Sequence, residues 1–232
     1  MLRIFLGLLL AVASACSPSV GPAPTAGALA DDRIQLLHTD DIHGHLDADF
    51  VTSANASSSF RAGGMAQLAG QIAAFRARAP QRTLLIDAGD AWQGTFISNA
   101  NKGEAVTKAM NLMHYDGLAV GNHDFDWGQD VLAQRAKDAS FPFLAANVIE
   151  TKTGVAPAYL KPYEVRDLGI ARVGIIGLTN PGSSTIVKAT AVAGLQFRPV
   201  ADSVRPLLAE VQKQADIVVV AAHIGTADAV QL

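Results

Sequence analysis

The chain has 232 residues, of which 50% are hydrophobic and 17% are charged. This length and apolar content suffice for a buried core and fit one domain better than two. The formal net charge of −3 gives no excess of Lys and Arg over Asp and Glu. Because binding to a nucleic-acid backbone depends on clustered basic side chains, we expect no nucleic-acid partner.

The N-terminus has the pattern of an export signal. Arg3 provides a positive charge, an apolar run covers residues 4–13, and Ala13-Ser14-Ala15 resembles a small-residue cleavage site. A helix that spans a bilayer needs about 20 apolar residues, so this run is too short for a stable anchor. We therefore predict a signal peptide at residues 1–15 and an exported protein, located in the periplasm or cell envelope.

Cys16 is the single cysteine of the chain and directly follows the predicted cleavage site. This position resembles the cleavage box of bacterial lipoproteins, although Ala13 stands where Leu is commoner. We favour lipidation of Cys16, through which alone the protein would contact a membrane, because a lone thiol in an oxidising compartment is a liability. The alternative is ordinary cleavage that leaves a free thiol.

The pattern after the signal predicts a flexible tether and then an α/β domain. Residues 16–32 contain three prolines among Gly, Ala and Ser, and the folded domain is expected at residues 33–232. Strands are predicted at residues 34–38, 83–86, 118–120, 143–146, 171–176 and 217–222. Helices are predicted at 65–77, 104–113, 129–137 and 201–214, and a loop at 57–64. Short, unbroken apolar strands between helices indicate a sheet that is covered on both faces.

Potential metal ligands follow four of the predicted strands. They are, in chain order, Asp41 with His43, Asp90, Asn122 and His223. Ligands bind at the carboxyl ends of strands in open α/β sheets, so these side chains are expected to converge. A mixed set of carboxylate, imidazole and amide groups suits divalent Mn, Zn or Fe. Each residue alone is compatible with a solvated loop or turn, and their number and order favour the metal interpretation.

These residues also carry a family resemblance. Asp41-x-His43, Gly89-Asp90, Gly121-Asn122-His123 and His223 resemble successive motifs of the calcineurin-like metallophosphoesterases. The longer stretches at residues 36–45, 89–95, 103–111 and 122–128 are similar to the 5′-nucleotidase branch. The resemblance runs from about residue 33 to the end of the chain. It implies a four-layer α/β/β/α sandwich with mixed sheets.

The resemblance implies two divalent metal ions, which are Mn, Zn, Fe or similar. Asp41 and His43 would bind the first ion, and Asn122 and His223 would bind the second. Asp90 would bridge both ions, because one carboxylate can offer an oxygen to each.

The resemblance also implies a catalytic pair, in which His123 faces the substrate phosphate and Asp126 orients His123. A capping box formed by Asp126 and Gln129 is the alternative role for Asp126. The remaining notable side chains we interpret as structural: His38, His45, His114, Asp40, Asp87, Asp124, Trp92 and Trp127.

The family pattern includes a Gly-His-x-His block after His223 and a C-terminal nucleotide-binding domain, and neither is present in the 232 residues. We therefore expect the domain at residues 33–232 to be C-terminally truncated, with a half-built metal site. The predicted function concerns the intact parent enzyme.

The leading hypothesis is dephosphorylation of nucleotides or other phosphate esters outside the cytoplasm. The activity would be that of a 5′-nucleotidase or a 2′,3′-cyclic-nucleotide phosphodiesterase. One alternative is a thiosulfohydrolase of sulfur oxidation, whose motifs resemble Trp92-Gln93-Gly94. The other is a non-catalytic fragment.

Overall fold

The structure is a computed structural model that describes residues 32–52, 59–230 and 232. The predicted signal peptide, Cys16 and the tether up to residue 31 lie outside the described residues. None of the helices in the described ranges has the length and apolar content needed to cross a bilayer.

Strands and helices alternate along most of the chain. The strands are β1 Gln35–Thr39, β2 Asp49–Thr52, β3 Ser59–Ala62, β4 Thr83–Asp87, β5 Gly117–Ala119, β6 Phe143–Leu144, β7 Val148–Glu150, β8 Tyr163–Asp167, β9 Arg172–Thr179, β10 Leu195–Phe197 and β11 Ile217–His223. The helices are α1 Met65–Arg76, α2 Phe96–Ala100, α3 Glu104–Leu112, α4 Gln129–Asp138, α5 Ser183–Ile186, α6 Val200–Val211 and α7 Thr226–Ala229. A short 3₁₀ helix covers His123–Phe125.

Two larger sheets form the centre of the fold. The first has the order β1-β4-β5-β6, and all its strands are parallel. The second has the order β11-β9-β8, in which β9 is parallel to β11 and antiparallel to β8. Two smaller antiparallel pairs join β2 to β3 and β7 to β10.

The two larger sheets pack face to face, and helices cover their outer faces. Leu84 and Ile86 of β4 form one buried cluster with Val173 and Ile175 of β9, which lies between the sheets. Side chains of β4 and β9 that point away from the space between the sheets belong to two further buried clusters. One joins Leu85 to residues of α1, α3 and α4, and the other joins β9 to α6. The predicted four-layer α/β/β/α architecture is therefore confirmed.

One predicted loop is wrong. Part of the segment 57–64 is a strand, because β3 pairs with β2 in an antiparallel hairpin. Phe50 lies opposite Arg61 across this hairpin, and the guanidinium carbon of Arg61 lies 5.8 Å from the Phe50 ring centroid. A cation–π pair across two exposed strands stabilises a hairpin that has little apolar alternation to predict it.

Close approach of the two sheets at Gly177 gives a first prediction. A Cβ atom at Gly177 of β9 would overlap the Cβ of Leu144 and lie 2.6 Å from its carbonyl oxygen. Gly177→Ala must therefore push β6 and β9 apart, and we expect it to lower the free energy of unfolding by about 1–3 kcal/mol. Urea denaturation of the purified chain measures this change.

Gly70→Ala is the matched control. Gly70 is exposed within α1, and among the described residues nothing lies within 4 Å of a Cβ added there. The control should raise the free energy of unfolding by about 0.5–1 kcal/mol, because Ala favours a helix over Gly. Equal stability of both variants would contradict the packing argument.

Candidate metal centre

The predicted ligands lie at the carboxyl ends of strands. Asp41 and His43 follow β1, Asp90 follows β4, Asn122 follows β5, and His223 ends β11. Three of them, Asp41, His43 and Asp90, bring their ligand atoms within 4.8 Å of one another. All three follow β1 and β4 of the first sheet, whose carboxyl ends lie at the same edge, as expected for parallel strands.

The Asp90 carboxylate is the centre of this group. His43 Nε2 lies 3.4 Å from Asp41 Oδ1 and 3.9 Å from Asp90 Oδ2. His223 Nε2 lies 3.1 Å from the same Asp90 oxygen. Asp90 is 3% exposed and its carboxylate faces two imidazoles, whereas the side chains of His43 and Asp41 are 30% and 57% exposed, so solvent reaches one side of the group. A buried carboxylate between two imidazoles offers a cation one oxygen and two nitrogen ligands.

Both imidazoles are fixed through their other ring nitrogen. His43 Nδ1 lies 2.5 Å from the carbonyl oxygen of Gln93, and His223 Nδ1 lies 3.1 Å from that of Ala88. A carbonyl oxygen only accepts hydrogen bonds, so each Nδ1 donates and, in the neutral tautomer, each Nε2 keeps its lone pair. This is the usual outer hydrogen bond of a histidine that ligates a metal, and the donor set therefore fits a divalent ion.

Three of the candidate ligands adopt a backbone conformation that side chains rarely tolerate. The φ angles are 49° at Asp41, 46° at His43 and 56° at Asp90. Left-handed conformations are uncommon outside glycine, and they persist only where the surrounding structure enforces them. Such strain concentrates at functional sites, and here three of the five described non-glycine residues with positive φ are those whose ligand atoms converge; the other two are Lys102 and His114.

Backbone hydrogen bonds to residues 88–91, here named the hub segment, enforce these conformations. The carbonyl oxygen of Gly89 accepts the Asp41 N–H, and that of Asp90 accepts the His43 N–H, both at 3.0 Å. The Ala88 carbonyl orients His223, as described above. The hub segment follows β4, whose five residues are all buried. Asp41, His43 and His223 are therefore all held by hydrogen bonds to the end of one buried strand.

The predicted ligand Asn122 lies in a loop that touches Asp90. The N–H of His123 donates to Asp90 Oδ1 at 2.8 Å, and a Cβ on Gly121 would overlap the same oxygen. The backbone on both sides of Asn122 therefore lies against the Asp90 carboxylate. Asn122 itself is half-buried.

The predicted catalytic pair forms a hydrogen bond. His123 Nδ1 lies 2.8 Å from Asp126 Oδ2, and the His123 ring packs edge-on against His43 with a centroid distance of 5.5 Å. Burial lowers the pKa of His123, but the Asp126 hydrogen bond and the charge of Asp90 outweigh it, so the pKa lies above its ordinary value. The alternative capping box does not form, because α4 begins at Gln129 after Gly128 without a side-chain cap.

Asp90 and His223 form an ion pair. Burial raises the pKa of Asp90, but the hydrogen bond and charge of His223 outweigh burial and lower it. Burial lowers the pKa of His223, and Asp90 outweighs this effect and raises it to about 9. At neutral pH His223 therefore carries a proton on Nε2, the nitrogen that would have to be free for metal binding.

Sequence reasoning left two buried carboxylates as structural residues, but both bind the backbone of the ligand loops. Asp124 accepts N–H groups of the hub segment, and burial raises its pKa to about 6. Asp87 accepts the Gly89 N–H at 2.9 Å and the Thr39 hydroxyl at 2.6 Å, and burial raises its pKa to about 8. An acid at the end of the apolar run 83–87 was the available signal for Asp87.

A cavity of about 340 Å³ opens beside the centre and is lined in part by Asp41, Asn180, His223 and Gly225. Asn180 follows β9, and sequence reasoning missed it because its side chain resembles an ordinary turn former. Its Oδ1 accepts the Gly182 N–H at 2.8 Å, which supports that turn. The cavity adjoins two ligand candidates and provides space for a small substrate.

No family model matches the chain, but individual proteins of known sequence or structure are similar to it. The chain is 37% identical over 188 residues to a snake venom 5′-nucleotidase of Naja atra, with 79% of this chain and 34% of that protein covered. A solved 5′-nucleotidase precursor from Thermus thermophilus superposes with a TM-score of 0.75 at 33% identity, covering 84% of this chain and 38% of that one.

A calcineurin-like phosphoesterase, YfkN from Bacillus subtilis, superposes with a TM-score of 0.68 at 27% identity, covering 83% of this chain and 62% of that one. The chain belongs to the 5′-nucleotidase branch of the calcineurin-like phosphoesterases. It spans about a third of the length of the curated relatives that it matches. A sulfate thiohydrolase, SoxB from Thermus thermophilus, shares the fold at 18% identity, with a TM-score of 0.73 over 88% of this chain and 45% of that one.

The close approach of Gly121 to Asp90 gives a prediction for the candidate metal centre. A methyl group at residue 121 would displace the Asp90 carboxylate, because it overlaps Oδ1 and lies 2.9 Å from Cγ. We expect Gly121→Ala to weaken Mn²⁺ binding at least about tenfold, since misplacing a ligand by about 1 Å removes much of its contribution. Titration calorimetry measures the affinity, with Gly70→Ala as control. Unchanged affinity in Gly121→Ala would exclude Asp90 as a ligand.

Proposed function

We propose that the chain is the metal-binding part of a hydrolase that cleaves phosphate esters, most specifically nucleotides, with two divalent ions. One observation carries the proposal: a buried carboxylate, Asp90, lies between two imidazoles whose distal nitrogens are both tied to backbone carbonyls. The similarity to 5′-nucleotidases supports the substrate class. Because the chain spans about a third of those relatives, the activity is proposed for the whole protein.

In this proposal the ligands would divide into two groups around Asp90. We assign Asp41 and His43 to one ion and Asn122 and His223 to the other, with Asp90 shared. Mn, Zn and Fe are the ions that this donor set suits. Bound ions of this kind supply Lewis acidity toward a phosphate oxygen and activate water.

His123 acts on the substrate and not on the metal in this proposal. With Nδ1 held by Asp126, its Nε2 is left for a phosphate or leaving-group oxygen. The raised pKa keeps His123 protonated to a higher pH than an ordinary histidine. A protonated Nε2 donates a hydrogen bond to negative charge that grows as the ester bond breaks.

The proposed setting follows the sequence. Residues 1–15 would direct export, a lipid on Cys16 would hold the protein in the cell envelope through the tether at residues 16–32, and residues 33–232 would carry the catalytic domain. A second candidate activity is thiosulfohydrolysis, because the chain shares the Trp92-Gln93-Gly94 motif of those enzymes. Trp92 is fully buried, which favours a packing role for that motif over a substrate contact.

Substrate assays on the complete gene product test the proposal. With Mn²⁺ present, we expect release of phosphate from AMP, and no release of sulfate from thiosulfate-type adducts. His123→Ala should lower kcat by about 10² or more while Mn²⁺ stays bound, because His123 is not a ligand. His114→Ala is the control. The reverse substrate preference would support the thiosulfohydrolase, and no turnover with bound metal would support a non-catalytic role.

The pKa of His223 gives a pH dependence of metal binding. His223 must lose its proton to bind an ion, and its pKa is raised to about 9 in the metal-free protein. Mn²⁺ affinity should therefore rise by up to about tenfold per pH unit between about pH 6.5 and 8.5. His223→Gln, which has no titrating proton, should show a much smaller slope. A flat profile in the unmodified chain would exclude His223 as a ligand.

The ion pair of His223 and Asp90 should also make folding stability depend on pH. Stability should fall as the pH rises, whereas metal affinity should increase. The folded-state pKa of His223 exceeds its ordinary value, so its stabilising contribution is complete below about pH 6.5. That contribution is lost as the pH rises through about 9.

A further inference from the structure

A single buried carboxylate joins the two loops that carry Asp90 and His123. Asp124 is 1% exposed, and its side chain accepts three backbone N–H groups. Oδ2 accepts the N–H of Asp90 at 3.1 Å and that of Gly121 at 2.8 Å, and Oδ1 accepts the N–H of Ala91 at 3.0 Å. Two of these donors belong to the hub segment and the third precedes Asn122, so one side chain fixes the separation of the two loops.

We propose that Asp124 is a positioning residue of the metal centre, an inference that rests on the proposed function. Its two bonds to the hub segment hold Asp90 in the left-handed conformation, with a φ of 56°. Its bond to Gly121 keeps the following residues close enough for the His123 N–H to reach Asp90 Oδ1. Asp124 thus acts on the metal ligands through backbone hydrogen bonds alone.

A carboxylate is required at this position. Asp offers acceptors at both oxygens, whereas the isosteric Asn replaces one oxygen with an NH₂ group that can only donate. In Asp124→Asn, the NH₂ group would meet either the Ala91 N–H or the N–H groups of Asp90 and Gly121. At least one loop would then lose its acceptor and shift, although the side-chain volume is almost unchanged.

Binding of Co²⁺ to the chain, followed by its visible spectrum, tests the proposal. We expect Asp124→Asn to weaken Co²⁺ binding about 10- to 100-fold and to change the shape of the absorption bands, because the ligands move. Loss of a nearby negative charge alone would weaken binding and leave the band shape unchanged. An unchanged band shape in Asp124→Asn would overturn the positioning role.

Asp116→Asn is the matched control. Asp116 also accepts a backbone N–H, that of Leu85 at 2.9 Å, and pairs with Arg166, but its partners lie outside the hub segment. We expect this control to bind Co²⁺ within about twofold of the unmodified chain and with the same bands. A spectral change as large in the control as in Asp124→Asn would show general destabilisation and would overturn the proposal.

Amide hydrogen exchange on the metal-free chain tests Asp124 without a metal and without a variant. The amides of Asp90, Ala91 and Gly121 should exchange slowly, as expected for N–H groups held by a buried acceptor. Exchange as fast as in exposed loops would overturn the proposal even if Asp124→Asn does not fold. Absence of Co²⁺ binding in the unmodified chain would instead contradict the proposed function, and the exchange rates would still decide the role of Asp124.

Discussion

Hydrogen bonds to the four residues of the hub segment hold the candidate metal centre together. The carbonyl oxygens of the hub segment accept hydrogen bonds from the N–H groups of Asp41 and His43 and from the imidazole of His223. The Asp124 carboxylate accepts two backbone N–H groups of the hub segment. A peptide group that donates on one side and accepts on the other cannot rotate without breaking both bonds. The ligands therefore share one reference segment, although they come from strands of two different sheets.

This arrangement explains why strained conformations survive at three candidate ligands. A non-glycine residue in the left-handed region costs on the order of 1 kcal/mol or more, and a typical internal hydrogen bond contributes about 1 kcal/mol net. Each strained residue, Asp41, His43 and Asp90, has its backbone N–H bound to the hub segment or to Asp124. The buried strand β4 anchors the hub segment, so the strain is offset by packing and hydrogen bonds that form on folding.

The sequence predicted the parts of the structure that depend on local pattern. Buried parallel strands such as β4 are continuous apolar runs, and polar residues that follow them lie at the carboxyl edge of their sheet. The order of strands and polar residues therefore indicated that Asp90 and His223 lie near each other, while their roles as metal ligands stay predictions. The sequence did not predict the β2–β3 hairpin or the hydrogen bonds that Asp124 accepts. The hairpin depends on a cross-strand pair in strands that lack apolar alternation, and two of the three N–H groups that Asp124 accepts lie more than 30 residues away in the sequence. Nothing in the local sequence indicates that a side chain will bind a distant backbone.

The accumulation of carboxylates around Asp90 favours a cation. Asp124 and Asp87 are fully buried, and burial, together with repulsion from the charge of Asp90, raises the pKa of Asp124 to about 6. Part of this repulsion is relieved by the proton on His223, which forms the ion pair with Asp90. A divalent ion at the same place would bring more positive charge than one proton and would release that proton to solvent. The protonated His223 thus places positive charge beside these carboxylates, as a bound cation would.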